Sequence, residues 1–296
     1  MKGKLLTIHP HDRDLGGFSV RRALPNIQKR AISYFVFLDH MGPAEFNSEK
    51  GMDVRPHPHI ALSTLTYLFS GRILHRDSIG SVQMIEAGDV NWMTAGYGIV
   101  HSERTPRDRP EKTLLHGLQL WVALPKGKED VAPSFHHFAK ESLPSFKKDS
   151  ANVKLILGEY ADKTSPVQIE ANLFFMDVHL AAGAKFNLDI PKAAESGVYL
   201  VSGSLEIIDF GAPDEPETHS KQTLIVLKLN RRYIARAVED CRFVYFGGEP
   251  LPEPRYMWWN FVSSSQGRIE MAKTAWASQE MGKVPGETEF IPLPEK

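Results

Sequence analysis

The chain has 296 residues, 42% of them hydrophobic, with 35 Lys+Arg against 36 Asp+Glu for a formal charge of −1. That length accommodates two domains, each able to bury its own core. The balanced charge, without a long Lys/Arg run, argues against direct nucleic-acid binding through phosphates. Short clusters such as Lys147-Lys148 and Arg231-Arg232 read as solvated faces.

The opening segment from Met1 to Pro10 reaches charge and proline before an apolar region develops, so no secretory signal is expected there. No apolar run is long enough to span a bilayer. The single cysteine, Cys241, excludes an intrachain disulfide and a Cys-based metal cluster, and it reads as a buried structural thiol. Together these features lead us to expect a cytoplasmic protein with no membrane partner.

In chain order, β-type runs are predicted at Tyr34 to Leu38, Leu65 to Phe69, Gln119 to Ala123, Leu173 to Leu180, Val198 to Val201, Leu224 to Leu227 and Arg242 to Phe246, punctuated by Gly, Pro, Asn and Asp. Such spacing suggests sandwiches or barrels. Lys126 to Lys148 is charged and proline-containing and reads as a connection. A late helix is predicted, capped by Ser264 or Ser265, with Ile269, Ala272 and Trp276 on its apolar side.

An internal repeat organises the chain. Gly51, His57, His59, Thr64, Tyr67, Leu68, Ser70 and Gly71 recur as Gly183, Asp189, Pro191, Ser196, Tyr199, Leu200, Ser202 and Gly203, at one constant offset and without a gap. Two copies of one β unit account for this.

The first copy carries His57-Pro58-His59, and Ile99-Val100-His101-Ser102-Glu103 follows. Side chains two apart on a strand share a face, about 6.6 Å apart along it, so each pair points to one side. If the two strands face one another in a barrel, three imidazoles and one carboxylate converge, a donor set suited to a first-row divalent ion. Either pair alone would be weak, since histidines on strands often bind only loops or solvent. His136-His137 face opposite ways on a strand, and His116 reads as core or as support behind a ligand. His9, His11, His40, His75, His179 and His219 show no ligand spacing.

At these residues the sequence resembles the cupin superfamily and, within it, the pirin family. The first cupin motif is matched from Gly51 to Gly71, except that Thr64 stands where a glutamate is usual. The second motif departs at Thr94 and in the four residues between Gly96 and His101. Both departures are pirin-like, as are Trp92 to Glu103, His116-Gly117-Leu118-Gln119-Leu120-Trp121, Trp258-Trp259-Asn260-Phe261 and the closing stretch from Glu289 to Pro294. Ala61 stands where bacterial pirin-like proteins are expected to carry glycine.

The resemblance implies an all-β bicupin: two double-stranded β-helix (jelly-roll) barrels in tandem with a C-terminal helical segment. We expect an N-terminal metal-binding cupin over 1–135, a linker over 136–148, and a degenerate, metal-free cupin with the helix and tail over 149–296. His57, His59, His101 and Glu103 are the expected metal ligands, Glu103 replacing the carboxylate lost at Thr64 and doubling as catalytic base. One divalent first-row metal is implied, with Fe(II) indicated by the family. Recombinant protein can carry another ion, because affinity rises from iron toward nickel and copper.

Quercetin 2,3-dioxygenase-like cleavage of a flavonol or related enolisable phenol by O2 is the implied activity. Trp92, Met93 and Phe69 are candidate walls for a planar substrate. The alternative is a non-catalytic, metal-dependent regulatory protein, a transcription cofactor or a partner of a metabolic enzyme. A third role, a metal that only holds the first barrel together, ranks last, because closed structural sites seldom mix histidine and glutamate with open positions. Two barrels in one chain supply packing that single barrels obtain by dimerising, so a monomer is expected.

Overall fold

The computed structural model describes residues 4–15, 18–47, 51–106, 108, 112–189, 194–211 and 216–295. Among these residues antiparallel strands dominate, and the one α-helix is Gln266–Ala277. Every predicted strand lies within or overlaps an observed one; Leu65 to Phe69, for example, is the middle of Leu62–Ser70.

The contacts divide the chain into two compact units, 12–21 with 37–140 and 252–296, and 1–11 with 22–36 and 141–251. In the first of these, a four-stranded sheet runs in the order Asp53–His59, Ile99–Arg104, Arg72–Asp77, Val82–Glu86. Val90–Thr94, Leu62–Ser70 and Thr113–Ala123 are neighbours in its seven-stranded partner. In the other unit the smaller sheet runs Lys185–Asn187, Tyr233–Ala237, Ser204–Asp209, Glu217–Ser220, with the same sequential order. Thr223–Leu227, Glu195–Ser202 and Cys241–Gly248 are neighbours in its larger sheet.

The repeat is therefore structural. In each copy the chain leaves the larger sheet at a single glycine and enters the smaller one. Gly71 (φ +85°) and Gly203 (φ +77°) make these corners, and a Cβ there would sit 2.4 Å from the Leu114 carbonyl oxygen and 2.3 Å from that of Asp240. Only a residue without Cβ fits both the left-handed backbone and the close approach. Pro191, the repeat counterpart of His59, lies outside the described residues.

The expected boundaries need correction. Leu6–Ile8, expected in the first barrel, pairs with Thr223–Leu227 in the other unit. The helix and tail, expected with the second barrel, belong to the unit of the first, because Ile60, Ala61 and Val100 share a core with Phe261, Ile269, Ala272, Trp276 and Val284. The expected linker is also more ordered than a linker. Ser134–Phe138 pairs with Val90–Thr94 at the edge of the larger sheet, and Ser145–Lys148 pairs with Ala151–Leu157. Both are polar edge strands, so their sequences carry little of the alternation that marks a half-buried strand.

Ser265 occupies the helix N-cap position but makes no side-chain cap bond. Ser264 instead donates its hydroxyl to Glu129. Ile269, Ala272 and Trp276 are the buried face, as their spacing predicts. No helix among the described residues is long and apolar enough to cross a membrane. Cys241 is buried, and burial together with Asp240 and Glu239 pushes its thiol up to about 11.

Candidate metal centre

His57 and His59 lie on the edge strand of the smaller sheet in the first barrel. Two prolines, Pro56 and Pro58, alternate with them, and an edge strand tolerates such residues because it does not need every N–H in the ladder. The neighbouring strand pairs antiparallel, with His101 directly opposite His57 and Ile99 opposite His59. This register gathers the three imidazoles. Ring centroids are 4.4 Å apart for His57 and His101, 5.0 Å for His57 and His59, and 5.1 Å for His59 and His101.

Glu103 lies two residues beyond His101 on the same strand and close to it, as the spacing predicts. A register shift between His101 and Glu103 sets it opposite Val54 on one side, and on the other side an unshifted register sets it opposite His75. One group of mutually close donors is therefore His57, His59 and His101, and a second is His75, His101 and Glu103, with His101 common to both. His75, dismissed for its spacing, enters because it comes from a third strand. Sequence separation could not show that pairing.

The tautomers are set from outside. His57 Nδ1 lies 2.9 Å from the Arg55 carbonyl oxygen and His59 Nδ1 lies 3.0 Å from that of Asn260. A carbonyl only accepts, so each Nδ1 carries the proton and each Nε2 keeps its lone pair. His101 Nε2 is buried without any hydrogen-bond partner. An orphaned imidazole nitrogen beside two others with free lone pairs fits a divalent metal ion.

Burial lowers all three imidazoles, His57 to about 4 and His59 and His101 well below the ordinary histidine value; the neighbouring imidazoles lower them further, while the carbonyl bonds of His57 and His59 partly oppose the shift. At neutral pH they are uncharged and able to ligate. Burial raises the Glu103 carboxyl, against smaller lowering effects from His75 and from the hydroxyl of Thr66, which donates at 3.1 Å.

The aromatic walls differ from the expected ones. Met93 pairs with Thr64, on the face that carries Thr66, whereas Trp92 pairs with Leu65 and points to the opposite face. Phe69 stands with His116, ring centroids 4.8 Å apart. Trp121 instead lies edge-on to His59 at 5.0 Å and stacks on Phe37 at 3.9 Å, and Phe135 stacks on His75 at 4.3 Å. His116 faces His40, with 2.7 Å between their Nε2 atoms. A register shift between His116 and Gly117 breaks the regular alternation of its strand at that point.

Ala61, beside the site, has φ +54° and is wholly buried, its N–H donating to the Gly96 carbonyl and its own carbonyl accepting from Leu124. Those two bonds hold alanine in a conformation that glycine adopts without strain.

Two antiparallel barrels built on one repeat, the first with a buried three-histidine cluster, define a bicupin with a candidate metal centre in its N-terminal barrel. The sequence pattern described as Pirin matches residues 17–122, and that described as Pirin C-terminal cupin domain matches residues 175–282. A pirin-like protein of Caulobacter vibrioides is 43% identical over 288 residues, covering 96% of each chain. The chain belongs to the pirin family.

Mouse pirin is 32% identical over 260 residues, covering 86% of this chain and 85% of its own. Among solved structures, a quercetin 2,3-dioxygenase from Acinetobacter baumannii superimposes with a TM-score of 0.90 at 32% identity, covering 99% of this chain and 95% of that one. A bacterial pirin of Escherichia coli, solved in complex with nickel(II), has a TM-score of 0.67 at 17% identity, covering 84% of this chain and 100% of that one, a likeness of fold.

Proposed function

We propose that this protein is a metal-dependent dioxygenase of the quercetin 2,3-dioxygenase type, acting on a flavonol or a related enolisable phenol with O2. His57, His59, His101 and Glu103 are the proposed ligands and Fe(II) the proposed ion. The observation that carries the reading is the bare, buried Nε2 of His101 beside two imidazoles whose Nδ1 protons are already committed. The Acinetobacter relative named for this activity supports the substrate class.

When bound, a first-row divalent ion supplies Lewis acidity toward a phenolate and one-electron chemistry toward dioxygen. The chain does the rest. Glu103, raised by burial, accepts the hydroxyl proton of the phenol: the O–H bond breaks, the carboxylate becomes a carboxylic acid, and the substrate remains as an anion. Thr66 holds the same carboxylate by its hydroxyl and keeps the accepting oxygen in place. Trp121, stacked on Phe37, offers a flat apolar wall beside His59. His57, 7% exposed, and Glu103, 8% exposed, are less deeply buried than His59 and His101, each 1% exposed, and a substrate approaches from the side of the first pair.

The test is anaerobic reconstitution with Fe(II), followed by quercetin and O2, with flavonol absorbance and carbon monoxide monitored and His101→Ala as control. Carbon monoxide from the wild type and none from the variant is the expected outcome. Tight iron binding with untouched flavonol would overturn the enzyme reading and favour a metal-dependent interaction protein.

A further inference from the structure

Behind His101 stands a pair of side chains that the metal reading does not use. His75 and Asp77 are 2% and 0% exposed and lie on Arg72–Asp77, the strand that pairs with the other side of Ile99–Arg104. His75 Nε2 is 3.2 Å from Asp77 Oδ2, and His75 Nδ1 is 3.5 Å from His101 Nδ1. The other oxygen of Asp77 is already committed: Oδ1 accepts the backbone N–H groups of Ile79 at 3.1 Å and Ser81 at 2.8 Å. The His75 ring is flanked by Phe135, stacked at 4.3 Å.

We infer that Asp77 and His75 form a positioning relay that fixes the proton of His101 on Nδ1 and so keeps its Nε2 free for the metal. With the imidazoles neutral, the chain of donors admits one direction. The Asp77 carboxylate only accepts, so the His75 proton sits on Nε2. That leaves His75 Nδ1 as an acceptor, and His101 Nδ1 must be the donor. His57 and His59 obtain the same result from backbone carbonyls, which cannot change role. His101 alone depends on side chains, and its tautomer is the one a single substitution can invert.

The inference rests on the metal-centre reading above, and Asp77→Asn tests it sharply. The two backbone N–H groups of Ile79 and Ser81 hold the amide oxygen, which turns the amide NH2 toward His75 Nε2. His75 must then accept there and carry its proton on Nδ1, donate to His101 Nδ1, and leave the His101 proton on Nε2, where it blocks a metal. Asp77→Ala imposes no direction on His75. A merely structural role for Asp77 predicts that the alanine variant is the worse of the two; the relay predicts that the isosteric asparagine is worse for the metal, by about 10- to 100-fold in affinity.

The direct readout is 15N NMR of histidine-labelled, metal-free full-length protein at pH 8. His101 is expected to be protonated at Nδ1 in the wild type and at Nε2 in Asp77→Asn. Co(II) titration of wild type and both variants, read by its visible d–d bands, then gives the affinity order. An unchanged His101 tautomer, or a weaker-binding alanine variant, overturns the relay. Should Asp77→Asn fail to fold, an Nε2-protonated His101 in the wild type still refutes it. If the wild-type tautomer is as stated but Co(II) does not bind, the relay stands and the metal reading falls.

Discussion

Replacing Glu129 with alanine should loosen the whole C-terminal segment from the barrel it covers. The Glu129 carboxylate is 1% exposed and accepts hydrogen bonds from Ser263 Oγ at 2.8 Å, Ser264 N at 2.7 Å and Ser264 Oγ at 3.1 Å. Arg255 Nε lies 3.4 Å from it on a side chain only 1% exposed, and Arg268 Nε lies at 3.6 Å. Truncation leaves the Arg255 guanidinium buried without its counter-charge and three donors unserved. Breaking a buried ion pair from one side costs about 3 to 5 kcal/mol. Arg268 is 27% exposed and retains Asp130, so its share is small. The loss is a large part of the total for a domain whose stability is about 5 to 15 kcal/mol.

Three of the five tryptophans, Trp258, Trp259 and Trp276, lie in this segment, so urea denaturation followed by tryptophan emission reports its release. Because the Asn260 carbonyl in the same segment accepts the hydrogen bond from His59 Nδ1–H, metal affinity should fall with it, by about tenfold. A midpoint shift worth less than about 1 kcal/mol would refute the reasoning. So would a large shift with His59 and the metal unaffected, which would separate the anchor from the site.

The metal-free protein should lose stability on acidification. His57 is held near 4 and His40 near 3, both chiefly by burial, against 6.5 in the unfolded chain. A depressed imidazole leaves stability whole above about pH 6.5 and lost as pH falls toward the folded value, because the unfolded state binds the proton first. His57 alone accounts for roughly 3 kcal/mol by pH 4, and a flat urea midpoint between pH 7 and 5 would contradict this. Thr66→Val removes the hydroxyl that donates to Glu103 and should raise that carboxyl further, weakening metal binding at pH 6 more than at pH 8; equal affinities at both pH values would argue against Glu103 as a ligand. Gly71→Ala forces φ +85° and a 2.4 Å approach to the Leu114 carbonyl oxygen, and should destabilise by about 1 to 3 kcal/mol in thermal or urea unfolding, where an unchanged midpoint would show the corner can relax.

Much of this molecule was legible in the chain itself. The constant repeat offset announced two copies of one β unit, and the glycines at 71 and 203 turned out to be the same corner in both. His-x-His on one strand put two imidazoles on one face whatever the surrounding fold, because the side-chain period of a strand is two.

What the sequence could not show were relations between distant segments. The three-histidine cluster needed the register that sets His101 against His57, and the place of Glu103 beside His75 needed the register of the strand on the other side. His75, Asp77 and Phe135 carried no motif, and Trp121, though inside the pirin-like stretch, carried no sign of its place beside His59, since these residues reach the site from three strands other than the two that bear the ligand pairs. The place of the helix and tail was decided by the apolar surface around Ile60, Ala61 and Val100, which they cover. Periodicity is a local property of the backbone and survives in the sequence, whereas strand register and the partner that buries a face are settled only when the whole chain competes to remove apolar surface from water.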